Sequence, residues 1–256
     1  MNNNSSVENA VAAIARGETV VVADDANREN EGDLILAAEK ATSSALAFMI
    51  RYTSGVICAP LSAERLAELR LPLMVTDNTE SHRTAFTVSV DLRQGTTTGI
   101  SAADRAATIR ALADPTVAAT AFVRPGHVFP LRSQTGGVLA RPGHTEAAVD
   151  LARLAGLFPA GVLCEIVNDD GSMAHGPQLV AFAERHRLPF VTIADLIAYR
   201  RSHERLVTHE AASRMPTRHG FFTAHVYRSI LDGAEHIALV KGEDRRTPAP
   251  SDQTDL

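Results

Sequence analysis

Short apolar runs alternate with amphipathic segments along most of this chain. The apolar runs, which predict buried strands, cover residues 19–23, 34–38, 55–59, 161–167 and 190–193. Segments with apolar side chains at helical spacing predict helices over residues 7–16, 43–52, 62–70, 102–113, 145–155, 177–186 and 195–205. Alternation of the two kinds of element is typical of an α/β fold.

A hydroxyl-rich turn precedes the fourth predicted helix. From Thr84 the side chains alternate in polarity, which predicts a half-buried strand. Residues 95–99, which include Thr98, then lead to Ser101, a predicted N-cap with Asp104 three residues later. This turn fits either an anion contact or an ordinary capped loop, and the sequence leaves both open.

The pattern changes after the seventh predicted helix. Residues 207–216 are polar and predict a connector, and residues 221–227 and 235–240 predict a β-hairpin joined around residues 232–233. An isolated hairpin is marginally stable in water, so it is expected to pack on the first domain, pair with another chain or begin a larger unit. The charged, proline-containing residues 241–256 predict a disordered tail.

Composition excludes two classes of partner. The 256 residues carry a formal net charge of −5, and the 25 basic residues are scattered, so nothing indicates nucleic-acid binding. No apolar run approaches the roughly 20 residues that span a bilayer, and the polar first residues do not resemble a signal peptide. A cytoplasmic protein is therefore expected.

Cys58 and Cys164 each lie in an apolar run without a CxxC spacing, and they are interpreted as buried small hydrophobic residues.

An acidic stretch follows the first predicted strand directly. Residues 24–33 contain five carboxylates and one arginine: Asp24, Asp25, Arg28, Glu29, Glu31 and Asp33. Crowded carboxylates repel one another, and a hard divalent cation with oxygen ligands would relieve that repulsion. The stretch also lies at the carboxyl end of a strand, where open α/β sheets commonly bind ligands. Composition alone leaves it balanced between a solvated acidic turn and a cation site.

A second unusual feature is the tetrapeptide Arg-Pro-Gly-His, which occurs at residues 124–127 and again at 141–144. Each copy is expected to place an imidazole on a loop. The second copy runs into a predicted helix at Thr145, so Arg141 and the free helix amides predict a phosphate site. Glu146 weakens this prediction because its carboxylate competes for the helix dipole.

Glu165 interrupts an apolar run, and such a carboxylate is expected to pair, bind metal or carry a proton.

Taken together, these motifs resemble 3,4-dihydroxy-2-butanone 4-phosphate synthase, an enzyme of riboflavin biosynthesis. The resemblance spans about residues 7–205 and rests on several motifs in the same order: residues 24–25, 28–33, 97–99, 124–127, 141–146 and 164–165. It implies an α/β (α+β) fold with a mixed β-sheet flanked by helices in one synthase domain, residues 1–206. It also implies a lyase that converts D-ribulose 5-phosphate to L-3,4-dihydroxy-2-butanone 4-phosphate and formate, with Mg²⁺ or Mn²⁺ stabilising enediolate intermediates.

The resemblance assigns roles to individual residues. It implies Glu29 and His144 as metal ligands and His127 and Glu165 as catalytic residues. The implied substrate contacts are Arg28, Asp33, Arg141, Pro142, Gly143, Thr145 and Glu165, and the implied supporting residues are Asp24, Glu31 and Thr98. A homodimer with its active site at the subunit interface is also implied.

The chain departs from the family pattern in three places. Ala26 and Asn27 stand where acidic residues are usual, which predicts weaker screening of the cation, and Arg83 stands where glycine is common. Residues 207–256 resemble the opening of a GTP cyclohydrolase II half that is truncated here. Because no cysteine follows Cys164, the zinc ligands of that enzyme are absent and GTP hydrolysis is not expected. Two alternatives stay open: a non-catalytic paralogue or partner subunit that keeps the fold, and a related Mg²⁺-dependent sugar-phosphate lyase or isomerase.

Overall fold

The computed structural model describes residues 3–25 and 27–242. Seven strands form the main sheet: β1 Val20–Ala23, β2 Gly32–Ala37, β3 Cys58–Leu61, β4 Val90–Leu92, β5 Phe122–Arg132, β6 Gly161–Glu165 and β7 Phe190–Thr192. Seven α-helices lie within the described residues: α1 Asn3–Arg16, α2 Ser43–Tyr52, α3 Ala63–Glu68, α4 Ala102–Ala113, α5 His144–Leu154, α6 Pro177–His186 and α7 Ile193–His203. The predicted alternation of strands and helices is confirmed.

The sheet is mixed, as expected. Its strand order is β4-β5-β3-β6-β2-β1-β7. Strand β2 pairs antiparallel with both β1 and β6, whereas β1 and β7 are parallel, as are β3 and β5. This order places the acidic loop after β1 beside the carboxyl end of β6, and the register brings Asp33 opposite Glu165.

Each face of the sheet is covered by helices because its strands are apolar on both sides. In β1, Val20 and Val22 belong to a core with α1, α5 and α7, whereas Val21 and Ala23 belong to a core with α2, α4 and α6. All four of these side chains are buried. A strand buried on both faces loses the polar alternation of a half-exposed strand and reads as a continuous apolar run, which explains why it was recognisable in the sequence.

Capping side chains fix several helix starts. Ser101 accepts a hydrogen bond from the amide of Asp104 at 3.1 Å, which confirms the predicted N-cap. The Asp104 carboxylate in turn accepts from the amides of Thr97 and Gly99, each at 3.1 Å. These two amides of the hydroxyl-rich turn are therefore used inside the protein, and the structure favours the capped loop over the anion contact. Thr98 is exposed on this loop.

Two predictions about the middle of the chain were wrong. The half-buried strand expected from Thr84 forms only isolated bridges at Phe86 and Thr87 before β4 begins at Val90. The first Arg-Pro-Gly-His copy lies inside β5 and not on a loop. Gly126 is required there because an added Cβ would lie 2.0 Å from the carbonyl carbon of Val90, so only glycine lets β4 approach this closely.

The described residues fall into two compact units, the first extending to His203 and the second beginning at Glu204. The second unit is an antiparallel sheet of three strands, β8 Val207–Thr217, β9 Gly220–Ser229 and β10 Glu235–Lys241, in the order β10-β9-β8. The predicted hairpin is confirmed as β9 and β10. The connector predicted over 207–216 was wrong: most of β8 is exposed, so it lacks the alternation by which a half-buried strand is recognised.

Three further points complete the fold. The disordered tail was expected over residues 241–256, but Lys241 is the last residue of β10. Residues 243–256 lie outside the described residues, as does Ala26. Both cysteines are buried, as expected. Among the residues that the structure describes, no helix has the length and apolar content needed to cross a membrane.

Candidate active site and metal centre

The acidic loop is shaped by Asp24. Its side chain is fully buried, and its carboxylate accepts hydrogen bonds from the amides of Glu29 at 3.0 Å and Glu31 at 2.9 Å. Arg28 donates to the same carboxylate at 3.0 Å. Asp24 thus folds the loop back on itself, and this turns Glu29 towards the protein interior.

Glu29 meets the first residue of α5. Its Oε2 lies 2.7 Å from Nη1 of Arg28 and 3.5 Å from Nδ1 of His144, and its Oε1 lies 4.0 Å from Nε2 of His82. Burial alone would raise the pKa of Glu29, but His144 and Arg28 lower it to about 2. Glu29 is therefore an anion at any physiological pH, which suits a metal ligand.

His144 is buried, and Nε2 of its ring has no hydrogen-bond partner among the residues that the structure describes. Burial would lower the pKa of His144, but Asp33, Glu29 and Asp24 raise it to about 9. Asp24, Glu29 and His144 each offer one ligand atom, and these atoms all lie within 4.8 Å of one another. Two carboxylates and an imidazole fit a divalent cation, which would take the place of the proton that His144 otherwise holds.

Asp33 and Glu165 face each other across β2 and β6. Asp33 is 2% exposed, and its Oδ1 has no partner among the described residues. Its burial, together with the charges of Glu165, Glu29 and Glu31, outweighs His144 and raises the pKa of Asp33 to about 7. Glu165 is only partly buried, and Oγ of Ser54 donates to its Oε2 at 2.5 Å. The expected partner of Glu165 is thus Ser54.

The second Arg-Pro-Gly-His copy leads into α5, whose N-cap is Gly143. Arg141 donates to Glu146 Oε2 at 2.8 Å, and Oε1 of Glu146 accepts from the amide of Gln134 at 2.9 Å. Because Glu146 is engaged in this way, its carboxylate orients Arg141. Arg141 also donates to the backbone carbonyl oxygen of His82 at 3.1 Å.

Several of these side chains line a cavity of about 140 Å³. Eight residues singled out from the sequence form its wall: Arg28, Glu29, Glu31, Asp33, Arg141, His144, Thr145 and Glu165. Sequence reasoning missed five others: Cys58, Thr84, Phe86, Leu131 and Leu163. The missed residues are mostly apolar and come from three strands and a loop, so only the sheet register could bring them here.

His127 is not among the residues that line this cavity. Phe129, two residues after His127, pairs with Cys58 of β3, and Cys58 also pairs with Leu163, two residues before Glu165. His127 and Glu165 thus lie towards the same end of the sheet, with β3 between their strands. At about 4.8 Å per strand, their backbones are roughly 10 Å apart. Thr98 and Asp24 also lie outside the wall of the cavity, as do Pro142 and Gly143.

Arg83 occupies a backbone conformation that favours glycine. Its φ is 52°, in the left-handed region, as expected if the family's glycine has positive φ. A non-glycine residue pays about 1 kcal/mol or more there. The Glu80 carboxylate holds this loop by accepting from the amides of His82 at 2.9 Å and Thr84 at 2.8 Å.

Gly143→Ala is expected to disturb the part of the cavity wall formed by Arg28 and Arg141. An added Cβ would lie 2.4 Å from Nη1 of Arg141 and 3.2 Å from Nη2 of Arg28, so both guanidinium groups would have to move. Losing one charge-assisted hydrogen bond to a phosphate costs about 1.5–3 kcal/mol, or roughly 10- to 100-fold in KM for a phosphorylated substrate. Steady-state kinetics measure this. Gly171→Ala is a control for backbone strain alone, because Gly171 has a φ of 84° and nothing lies within 4 Å of its added Cβ. An equal rise in KM in that variant would contradict the prediction.

Comparison with known proteins identifies the family. A family model described as 3,4-dihydroxy-2-butanone 4-phosphate synthase matches residues 8–199. The chain belongs to this synthase family. A second family model, described as GTP cyclohydrolase II, matches residues 208–251. The resemblance inferred from the motifs is thereby confirmed for both parts of the chain.

The relatives are longer than this chain. The riboflavin biosynthesis protein RibBA of Rhodococcus jostii (strain RHA1) is 60% identical over 240 residues, covering 93% of this chain and 58% of the relative. The protein of the same name from Mycobacterium tuberculosis (strain ATCC 25177 / H37Ra) is also 60% identical, and 56% of it is covered. The chain therefore spans little more than half the length of the curated relatives it matches.

Solved structures support the fold. The crystal structure of RibBX, a two-domain 3,4-dihydroxy-2-butanone 4-phosphate synthase from A. baumannii, superposes with a TM-score of 0.82 at 48% identity, covering 93% of this chain and 70% of that one. A 3,4-dihydroxy-2-butanone 4-phosphate synthase in complex with two magnesium ions superposes with a TM-score of 0.75 at 50% identity, covering 77% of this chain and 97% of that one. The predicted synthase fold is confirmed.

Proposed function

We propose that this chain is a lyase that converts D-ribulose 5-phosphate to L-3,4-dihydroxy-2-butanone 4-phosphate and formate. One observation carries the proposal: a cluster of Asp24, Glu29 and His144 lies beside a cavity that also contains Asp33 and Glu165. This arrangement combines a cation site with carboxylates that can exchange protons. Membership of the synthase family supports the same reaction.

The proposed metal ligands are Glu29 and His144, with Mg²⁺ as the expected ion and Mn²⁺ as an alternative. Such an ion fits the ionised Glu29 and the buried Nε2 of His144, which has no partner in the part of the chain that the structure describes. When bound, a divalent cation supplies Lewis-acid stabilisation of negative charge on the oxygen atoms of the sugar. Asp24 and Glu31 would contribute the surrounding negative field, and Asp24 also fixes the loop.

The phosphate end of the substrate would bind at the start of α5. Arg141 and Arg28 supply positive charge there, and the first turn of α5 contributes the backbone amides of His144 and Thr145 and the Thr145 hydroxyl at a helix N-terminus. Anchoring the phosphate converts remote binding energy into orientation of the reacting carbons. This places the sugar end against the carboxylates of β2 and β6.

Proton transfer is assigned to Glu165 and His127, with Asp33 contacting a substrate hydroxyl. The reaction moves protons between adjacent carbons and expels a hydroxyl group, so it needs groups that act as base and acid in turn. Asp33 has a pKa of about 7, so it can accept or donate a proton near neutral pH. Glu165 lies opposite it, held by Ser54.

We further propose a cytoplasmic homodimer with the active site at the subunit interface. This rests on the family resemblance, and the position of His127 outside the cavity wall of a single chain supports it. The synthase domain is placed at residues 1–206 and the connector with a cyclohydrolase-like segment at 207–256. No GTP cyclohydrolase II activity is expected from this chain, because it has no cysteine after Cys164.

Removal of divalent metal should stop formate release. Purified protein incubated with ribulose 5-phosphate and Mg²⁺ is expected to produce formate, and EDTA should reduce the rate to background, since charge stabilisation worth several kcal/mol is lost. Excess Mg²⁺ should restore the rate. No formate under conditions in which another synthase of the family is active would favour a non-catalytic paralogue, and a product without formate would favour a different sugar-phosphate enzyme.

A further inference from the structure

A carboxylate outside the cavity holds the imidazole of His127. Asp91, on β4, is 6% exposed, and its Oδ2 lies 2.7 Å from Nδ1 of His127. The other carboxylate oxygen, Oδ1, accepts from the backbone amide of His127 at 2.9 Å. One side chain thus fixes both the backbone and the ring of the same histidine.

A glycine packs against the other side of Asp91. An added Cβ on Gly99 would lie 2.0 Å from Oδ2 of Asp91, so the backbone of Gly99 covers the carboxylate directly. Gly99 has a φ of 92°, which only glycine adopts readily, and the Asp104 carboxylate accepts from its amide. The hydroxyl-rich turn that ends at Gly99 therefore has a role that its sequence did not reveal: it restricts the orientation of the Asp91 carboxylate.

This geometry has a chemical consequence for His127. When Nδ1 carries the proton and donates it to a carboxylate, Nε2 is left with a lone pair and can accept a proton from a substrate. The His127 side chain is 41% exposed, so the part of the ring away from Asp91 is accessible. A carboxylate that orients an imidazole in this way also stabilises the imidazolium formed after proton transfer.

We propose that Asp91 is a positioning residue for the reaction: it fixes the Nδ1–H tautomer of His127, so that His127 presents Nε2 to the substrate. The proposal rests on the proposed function, in which His127 transfers a proton. Asp91 itself touches no reacting atom. The loop that ends at Gly99 keeps the carboxylate in the required orientation.

Kinetics of Asp91→Asn test the positioning role. The amide keeps the size of the side chain but removes its charge, so kcat for formate release should fall about 10²-fold while KM changes less than about threefold. In a His127→Gln background, Asp91→Asn should cause little further loss, because a residue that acts through His127 has nothing left to orient. Asp169→Asn, at an exposed position, is the matched control and should leave the rate unchanged.

Nitrogen-15 spectra test the tautomer without any need for activity. In protein labelled at histidine, the His127 ring is assigned by its absence from the spectrum of His127→Gln. At mildly alkaline pH the unaltered protein should show the proton on Nδ1, and Asp91→Asn should show a mixture of both tautomers. The unaltered protein provides this result even if Asp91→Asn does not fold.

The outcomes separate the two proposals. Three results would overturn the role of Asp91 while formate release still supports the synthase. They are a near-normal kcat for Asp91→Asn, an equally large fall in kcat when Asp91→Asn is added to His127→Gln, and a proton on Nε2 of His127 in the unaltered protein. If the unaltered protein releases no formate, the proposed function fails. The tautomer spectrum then decides by itself whether Asp91 fixes the ring.

Discussion

Glu29→Gln should abolish formate release and weaken Mg²⁺ binding strongly while the protein stays folded. The Glu29 carboxylate lies 3.5 Å from the imidazole of His144, and its pKa of about 2 keeps it charged as a ligand must be. Charge stabilisation by a metal is worth several kcal/mol. Several kcal/mol correspond to a loss of about 10³-fold or more in kcat/KM, since each 1.36 kcal/mol is a factor of ten. His144→Ala should have the same effect.

Isothermal titration with Mg²⁺ and a formate assay would measure the two losses together. Glu184→Gln is the matched control, because Glu184 is exposed on α6 and should alter neither quantity. Thermal unfolding of each variant shows whether the fold persists. Near-normal turnover by Glu29→Gln or His144→Ala, in protein that remains folded, would mean that the metal ligands are assigned to the wrong residues.

Glu165→Gln should reduce kcat by about 10²- to 10⁴-fold, the usual contribution of a general acid or base. The amide is nearly the same size and can keep the hydrogen bond from Ser54, but it cannot carry the proton. Because Glu165 is not part of the Asp24, Glu29 and His144 cluster, Mg²⁺ affinity should change little. The variant therefore separates proton transfer from metal binding.

Steady-state rates and Mg²⁺ titration on the same preparation decide this point. Glu68→Gln serves as a second control: the Glu68 side chain is exposed and lies 3.0 Å from Arg65 of its own helix, and Arg65 keeps its bonds to backbone carbonyl oxygens, so the loss should cost little. If Mg²⁺ affinity falls in parallel with kcat in Glu165→Gln, Glu165 acts as a ligand and its assignment as a proton carrier is wrong. An unchanged kcat would remove it from the mechanism altogether.

The structure divides the acidic stretch into separate roles. Asp24 and Glu29 are both acidic residues of one loop, but the Asp24 carboxylate accepts hydrogen bonds from the backbone amides of that loop. Glu29 instead meets His144, and Asp33 faces Glu165 from within β2. The difference follows from the hairpin between β1 and β2, which turns successive side chains to different neighbours.

The alternation of strands and helices, the N-cap at Ser101 and the family were all predictable from the order of the residues. These features are local: helix spacing, capping hydroxyls and short motifs are visible in neighbouring residues. The sequence also singled out Glu29 and His144, because the resemblance is carried by motifs that survive as contiguous residues. Strand β8 was not predicted, because most of its residues are exposed and the strand lacks an apolar face.

Which of these groups come into contact depends on the fold. Asp33 and Glu165 are 132 positions apart and become neighbours through the antiparallel register of β2 and β6. Asp91 reaches His127 only because β4 lies against β5, a contact that Gly126 makes possible. Such pairings depend on strand order and register, which are set by the packing of both sheet faces and not by the residues adjacent in the chain.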